Sequence, residues 1–422
     1  MLFASRRQFC RLGGAATLLA SLGGEPTLAL ASTSASAAEE LELGAIERPR
    51  VLAAAEHYLR LAPVTITAFP APRAKDGEGG RNDYFSEGDY WWPNPRDPNG
   101  PYIRRDGQSN PANFTAHRRA LIAFSVQAAS LAAAWRLTGE ARFARHVARH
   151  LHAWFVDPAT RMNPNLQYAQ AIHGIANGRS IGIIDTIHLV EVARSAQLLS
   201  EGHALSASED RAVRAWFTDY TTWLTTSGHG IAEREAKNNH GTCWVVQVAA
   251  FAAYLGRGDW LKYCGHRFQT VLVPNQMAPN GSFPLELRRT KPYGYSLFNL
   301  DMMAAACQIL SMNGFGVAAA PASAGLWAFQ LPDGRGMRRG MEFMVPYIEN
   351  KRSWPYPPDV MYFDDWPVRQ PSLLFAGLAY GQSRWLALWR RLNPDPTVEE
   401  VLRNFPIRQP LLWVSPQRRL QS

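Results

Sequence analysis

Beyond residue 115, apolar positions recur at spacings of three and four residues, the period of helices that bury one face. The pattern predicts helices at 115–137, 139–156, 180–200, 208–227, 242–255, 258–273, 295–313, 335–349, 371–381 and 383–392. Breakers separate them, among them Thr138-Gly139, Asp157-Pro158, Gly256-Arg257-Gly258 and Pro279-Asn280-Gly281. An earlier helix is expected from Arg50 to Leu61, with Pro49 at its start and Ala62-Pro63 at its end. No sustained run of alternating strands interrupts the series. A long succession of helix pairs with short connections either closes into an (α/α) toroid or stacks as a solenoid. The fold expected is all-α: an (α/α) toroid, an incomplete barrel of helical hairpins, with few or no strands. A toroid gathers its loops around a cleft in which a polymer can lie.

Two stretches depart from the helical pattern. Residues 70–111 are rich in Gly, Pro, Asp and Asn and hold Tyr84-Phe85-Ser86-Glu87-Gly88-Asp89-Tyr90-Trp91-Trp92-Pro93-Asn94-Pro95. So many aromatics among so many breakers are not explained by helix packing, and long ordered loops are often functional. At the N-terminus, Ser5-Arg6-Arg7-Gln8-Phe9-Cys10 precedes a small, apolar run from Leu12 to Leu22 and then Ala35-Ser36-Ala37. That order is the order of a secretory signal, and the arginine pair points to twin-arginine export. Residues 1–37 are therefore expected to be a twin-arginine-type signal peptide. Residues 38–422 are expected to form one domain in a periplasmic or secreted protein. The run is short for a bilayer and rich in Gly, Ala and Thr, so no stable membrane insertion is expected.

Charge narrows the range of partners. The net charge is +9, of which residues 1–37, with three arginines and one glutamate, hold +2. Blocks of Lys and Arg are absent and lysine is scarce, which disfavours nucleic acid. Scattered Arg with abundant Trp and Tyr suits a groove for an acidic polysaccharide or oligosaccharide, in which guanidinium groups pair with carboxylates. The four cysteines include Cys10, leaving Cys243, Cys264 and Cys307 with no C-x-x-C spacing, so neither a disulfide framework nor a structural zinc site is expected. No motif signals a cofactor or a metal.

Two segments concentrate the candidate chemistry. Asn239 and His240 open an apolar helix, and Arg289 and Tyr295 lie in the Gly- and Pro-punctuated stretch 281–296. Singly, each is also compatible with a helix cap or a surface loop. Together they offer an amide, an imidazole, a guanidinium and a phenol. The C5 proton of a uronic acid is weakly acidic while its carboxylate is charged. Preorganised donors around that carboxylate stabilise the enolate-like state, each by on the order of 3 kcal/mol. Asn239, His240 and Arg289 can supply them. Tyr295 can take the C5 proton and return one to the leaving O4, with its phenol lowered by nearby cations. A helix N-terminus also favours an anion, which brings in Asn238. Gln170, His173 and Arg179 form a second polar patch, and Trp91, Trp92 and Tyr293 are candidate platforms for sugar rings. Glu87, Asp89, Glu286, Asp364 and Asp365 are the carboxylates that a hydrolase would need in a pair.

The same residues carry a family resemblance. Asn238-Asn239-His240-Gly241-Thr242, then Gly281-Ser282-Phe283-Pro284-Leu285-Glu286-Leu287 with Arg289-Thr290, Pro292 and Gly294-Tyr295-Ser296, resemble the alginate-lyase-like superfamily. The segments Ser86–Pro95, Arg104-Arg105-Asp106-Gly107 and Asn165–Ile172 resemble its glucuronan lyase branch. The likeness spans roughly residues 60–380. It implies an α/α toroid and metal-independent β-elimination, with Asn239, His240 and Arg289 at the carboxylate and Tyr295 as base and acid. The tyrosine of mannuronate-specific lyases would fall at Ser296, so the Tyr295 register implies glucuronan ahead of alginate. His173 stands where the branch has a proline. The expected activity is a polysaccharide lyase on a β-1,4-linked uronic acid polymer. The alternatives are polymannuronate as substrate, a uronic-acid hydrolase in a similar toroid, and a non-catalytic acidic-glycan-binding protein.

Overall fold

The computed structural model describes residues 42–71, 79–315 and 325–415. The expected signal segment lies outside the described residues. The unit from Glu39 onward is built from two alternating sets of helices. One set is buried nearly all round: Ala116–Thr138, Leu189–Glu201, Asn239–Leu255, Pro292–Met312 and Pro371–Tyr380. Each packs on the next in chain order, or is joined to it through its outer partner. The other set is one-sided: Leu43–Tyr58, Ala141–Phe155, Ala207–Thr226, Gly258–Arg267, Met337–Glu349 and Ser383–Arg391. In Ala141–Phe155, for example, Phe143, Val147, Leu151 and Trp154 are buried while Arg142 and Arg145 face solvent. This is the incomplete barrel of helical hairpins that the periodicity predicts. The turn Pro410–Trp413 lies against Leu43–Tyr58, Ala116–Thr138 and Leu189–Glu201. Buried Glu191 holds this C-terminal segment by accepting Arg408 N, Gln409 N and Trp413 Nε1.

Local chemistry sets most helix ends. Ser206 and Glu209 form a reciprocal capping box, and Gly139, Gly256 and Gly381 end their helices in the left-handed conformation. The first helix corrects the expectation. It starts at Leu43 rather than Arg50 and carries Pro49 inside, because Leu43, Glu47, Val51 and Ala55 form one buried stripe. The stretch 180–200 begins as a 3-10 helix, Ser180–His188, and Pro284–Leu287 forms a helical turn within the Gly- and Pro-punctuated stretch. Four short strands occur among the described residues. Phe85–Glu87 runs parallel to Tyr168–Ala171, and Trp91–Trp92 runs antiparallel to Ile103–Arg104. The first pair ties the Gly/Pro-rich stretch to the segment before Ser180, and the second folds the stretch on itself. Cys243, Cys264 and Cys307 are free and buried.

One buried carboxyl couples the barrel to pH. Asp301, in Pro292–Met312, accepts Gln370 Nε2 at 2.9 Å and Ser372 N at 3.2 Å. Burial pushes its pKa from 3.8 up to about 7. Between those values the folded chain keeps a proton that the unfolded chain has released. Stability therefore falls as pH rises through this window, by at most roughly 1.4 kcal/mol per pH unit. Asp301→Asn is expected to flatten that slope, so that its melting temperature gains on the wild type from pH 4 to pH 7. Parallel pH profiles for the two proteins would disprove the assignment.

Candidate active site

The N-terminal ends of two barrel helices, Asn239–Leu255 and Pro292–Met312, open into one cavity of about 300 Å³. Its wall takes Asn238, Asn239, His240, Arg289 and Tyr295 from the two predicted segments, together with Gln170 and Arg179 from the patch before Ser180. Trp91 and Arg104 come from the short hairpin. Tyr90, Arg403 and Asn404 complete it, the last two from the C-terminal helix Glu399–Arg403 and its cap.

Most of the polar wall residues are held from behind. Asn239 donates through its backbone N and its Nδ2 to the two oxygens of Glu286, both at 2.8 Å, and Glu286 is buried. Burial, opposed by the Asn239 bonds and by Arg289, raises the Glu286 carboxyl. His240 Nδ1 lies 2.7 Å from Glu233 Oε1. Arg289 makes a forked contact with Asp106, Nε at 3.2 Å and Nη2 at 3.0 Å. Asp106 also accepts Arg104 Nη2 and Thr290 Oγ1, and these cations hold its carboxyl well below the usual range. The Arg289 guanidinium sits 4.6 Å from the centroid of the Tyr295 ring.

The phenol of Tyr295 donates to Tyr90 Oη at 2.8 Å, and Arg403 Nη2 donates to the same oxygen at 3.1 Å. Burial is the largest influence on Tyr295, and it raises the phenol well above its ordinary value; Tyr90 adds to this and Arg289 opposes it. This corrects the expectation of a lowered phenol: desolvation outweighs the neighbouring cation. Helix Pro292–Met312 is itself capped by Asp359, which accepts Tyr293 N at 2.8 Å and Gly294 N at 2.9 Å. A Cβ on Gly294 would meet Asp359 Oδ2 at 2.8 Å, so a larger residue there would displace this capping carboxylate.

Gln170 adopts φ 51°, a left-handed conformation unusual for a side-chain-bearing residue. There its N–H reaches Ser86 Oγ, its Nε2 donates to Asp185 at 3.0 Å, and its Oε1 accepts Arg179 Nη2 at 3.2 Å. Arg179 forms no ion pair within 4.0 Å among the described residues, and its guanidinium lies 5.8 Å from the Trp91 ring centroid. Burial brings its pKa down to about 10.

Three residues expected at the substrate lie elsewhere. Tyr293 is fully buried, edge-on to Trp354 and Phe363, with its hydroxyl on Tyr347 O. Trp92 donates to Gln108 O and lies beneath Arg105. His173 is exposed beside Tyr102. Of the carboxylates weighed for hydrolysis, only Asp89 lines the cavity; it is clamped by Arg118 and Arg403, which hold its pKa at about 2. Glu286 is buried under Asn239, and Asp364 and Asp365 are exposed. Among the described residues no group of three His, Cys, Asp or Glu side chains is placed to hold a metal ion.

The alginate lyase family model matches residues 69–354. Among solved structures, an alginate lyase from Bacteroides ovatus is similar, with 29% identity and a TM-score of 0.74 over 87% of this chain and 93% of that one. A histidine-to-alanine variant of alginate lyase A1-III, complexed with a tetrasaccharide, shares the fold at 15% identity and a TM-score of 0.54, over 87% of this chain and 95% of that one. No curated protein sequence matches the chain.

Proposed function

The chain belongs to the alginate lyase family and is a polysaccharide lyase; we propose that it cleaves a β-1,4-linked uronic acid polymer, glucuronan first and polymannuronate second. One observation carries the reading: Asn239 and His240 from one segment and Arg289 and Tyr295 from another share one cavity wall with Arg104, Arg179 and Arg403. Four guanidinium groups against one clamped carboxylate favour a polyanion. Asn239 and Arg289, which share the wall with His240, neutralise the carboxylate of the sugar that loses its C5 proton. The electron pair of the C5–H bond forms the C4–C5 double bond, the C4–O4 bond breaks, and O4 receives a proton.

Tyr295 was expected to serve both proton transfers, which requires a phenolate at the outset. Its buried phenol keeps its proton, and this favours a division of labour. In that reading, His240 Nε2 takes the C5 proton and Tyr295 gives its own to O4. The preference for glucuronan rests on register: Tyr295 lines the cavity, whereas Ser296 is buried behind it. A hydrolase would use two carboxylates, and the cavity wall offers only Asp89 among the described residues.

The test is to mix the protein, from which residues 1–37 have been removed, separately with glucuronan, polymannuronate and polyguluronate. Ultraviolet absorbance of the unsaturated 4,5 product is then followed alongside reducing ends. Absorbance rising fastest on glucuronan is the expected result. Reducing ends without absorbance would establish hydrolysis, and binding without either signal would establish a glycan-binding protein.

A further inference from the structure

We infer that Glu233 is a positioning residue for the reaction: it fixes the ring of His240 in the Nδ1–H tautomer and presents Nε2 to the cavity. The inference deepens, and rests on, the reading of His240 as part of the lyase site. Glu233 lies near the end of the short helix Gly228–Arg234, which Ser227 caps by accepting Gly230 N at 3.0 Å. The start of Asn239–Leu255 sits directly on the end of that helix. A Cβ on Gly241 would meet Ala236 O at 2.2 Å, so this approach requires glycine. Packing of the two helix ends brings Glu233 up behind the cavity wall.

The environment of Glu233 is unusual for a merely structural carboxylate. Its side chain is fully buried, Oε1 lies 2.7 Å from His240 Nδ1, and Oε2 is buried without a hydrogen-bond partner. A buried carboxylate with an unsatisfied oxygen is costly, and a glutamine or an apolar side chain would fill the same space at lower cost. Among the described residues Glu233's side chain makes no other hydrogen bond, so His240 is the partner that accounts for the charge. A carboxylate accepts only, so Nδ1 must carry a proton. In the neutral ring the lone pair is then on Nε2, on the side chain that lines the cavity. When Nε2 takes the C5 proton, the imidazolium that forms faces Glu233 on one side, with Glu286 also close enough to interact with it. The arrangement matches the orienting acid of a Ser-His-Asp triad. The pair stands seven positions apart, but two different helices carry them, so the contact comes from helix packing and not from one helix face.

The first measurement uses the wild-type protein. With ¹⁵N-labelled histidine, and His240→Gln for assignment, ring nitrogen shifts are recorded as pH is raised until the ring is neutral. A neutral ring protonated on Nδ1 is expected; one protonated on Nε2 would overturn the inference whether or not any polymer is cleaved. The second measurement is Glu233→Gln. It is expected to lower kcat roughly 10- to 100-fold with KM changed less than threefold, and to displace the acidic limb of the pH–rate profile. An unchanged kcat with an unmoved pH profile would remove Glu233 from the mechanism. Failure of all three polymers to react, with the Nδ1–H tautomer present, would refute the proposed substrates and leave the Glu233–His240 assignment standing.

Discussion

Tyr295→Phe is expected to lower kcat by roughly 10³-fold or more while the protein folds and melts nearly as the wild type does. The ring of Tyr295 is 8% exposed and lies under the Arg289 guanidinium, and phenylalanine fills the same space and keeps that stack. What disappears is the hydroxyl and its bond to Tyr90 Oη, a net loss of about 1 kcal/mol of stability. Arg403 still donates to Tyr90, so the acceptor is not orphaned. Chemistry loses far more, because general acid–base groups contribute typically 10²- to 10⁴-fold, and the Tyr90 hydroxyl next to it is already held by Arg403. Steady-state absorbance of the unsaturated product measures the effect, and a thermal melt supplies the control. Turnover within tenfold of wild type would remove Tyr295 as the proton donor, whichever group serves as base.

Physical period explains what could be read from the sequence. The helices with apolar spacing of three and four appear close to the expected bounds, from Ala116–Thr138 through Ser383–Arg391, because burial of one face dictates both the pattern and the fold. The same geometry explains two misplaced candidates. Tyr293 precedes Tyr295 by two residues on one helix, so about 200° of rotation sends it into the core when Tyr295 faces the cavity. Trp91 and Trp92 are neighbours in a strand, where side chains alternate between faces, so only Trp91 lines the cavity.

The residues that hold the site were less legible because their partners are distant in sequence. Asp106 lies 183 positions from Arg289, and Glu286 lies 47 from Asn239. Arg403 reaches Tyr90 across 313 positions and stands outside the family-matched residues 69–354. Arg104-Arg105-Asp106-Gly107 could be recognised as a motif, but nothing in one sequence connects it to Arg289. Tyr90 sat within the aromatic stretch without a role. Local propensity accounts for a helix cap; it does not identify which buried carboxylate stands behind a histidine.

Arg289→Lys separates charge from geometry and is expected to cost roughly 10²- to 10³-fold in kcat. Arg289 does two things at once. Its fork holds both oxygens of Asp106 through Nε and Nη2, and its flat face covers the Tyr295 ring. Nη1 makes no hydrogen bond among the described residues and remains free for the substrate carboxylate. A lysine ammonium keeps the positive charge but has neither a fork nor a planar face, so it cannot face Asp106, Tyr295 and a carboxylate together. Asp106 retains Arg104 and Thr290, which limits the loss of fold stability. The burden therefore falls on the developing negative charge at the carboxylate, where one preorganised donor is worth on the order of 3 kcal/mol. Because that donor acts mainly on the enolate-like state, kcat should fall more than KM rises. If the lysine variant kept kcat within tenfold of wild type on the preferred polymer, charge alone would suffice. The Asp106 fork and the stack on Tyr295 would then have no part in catalysis.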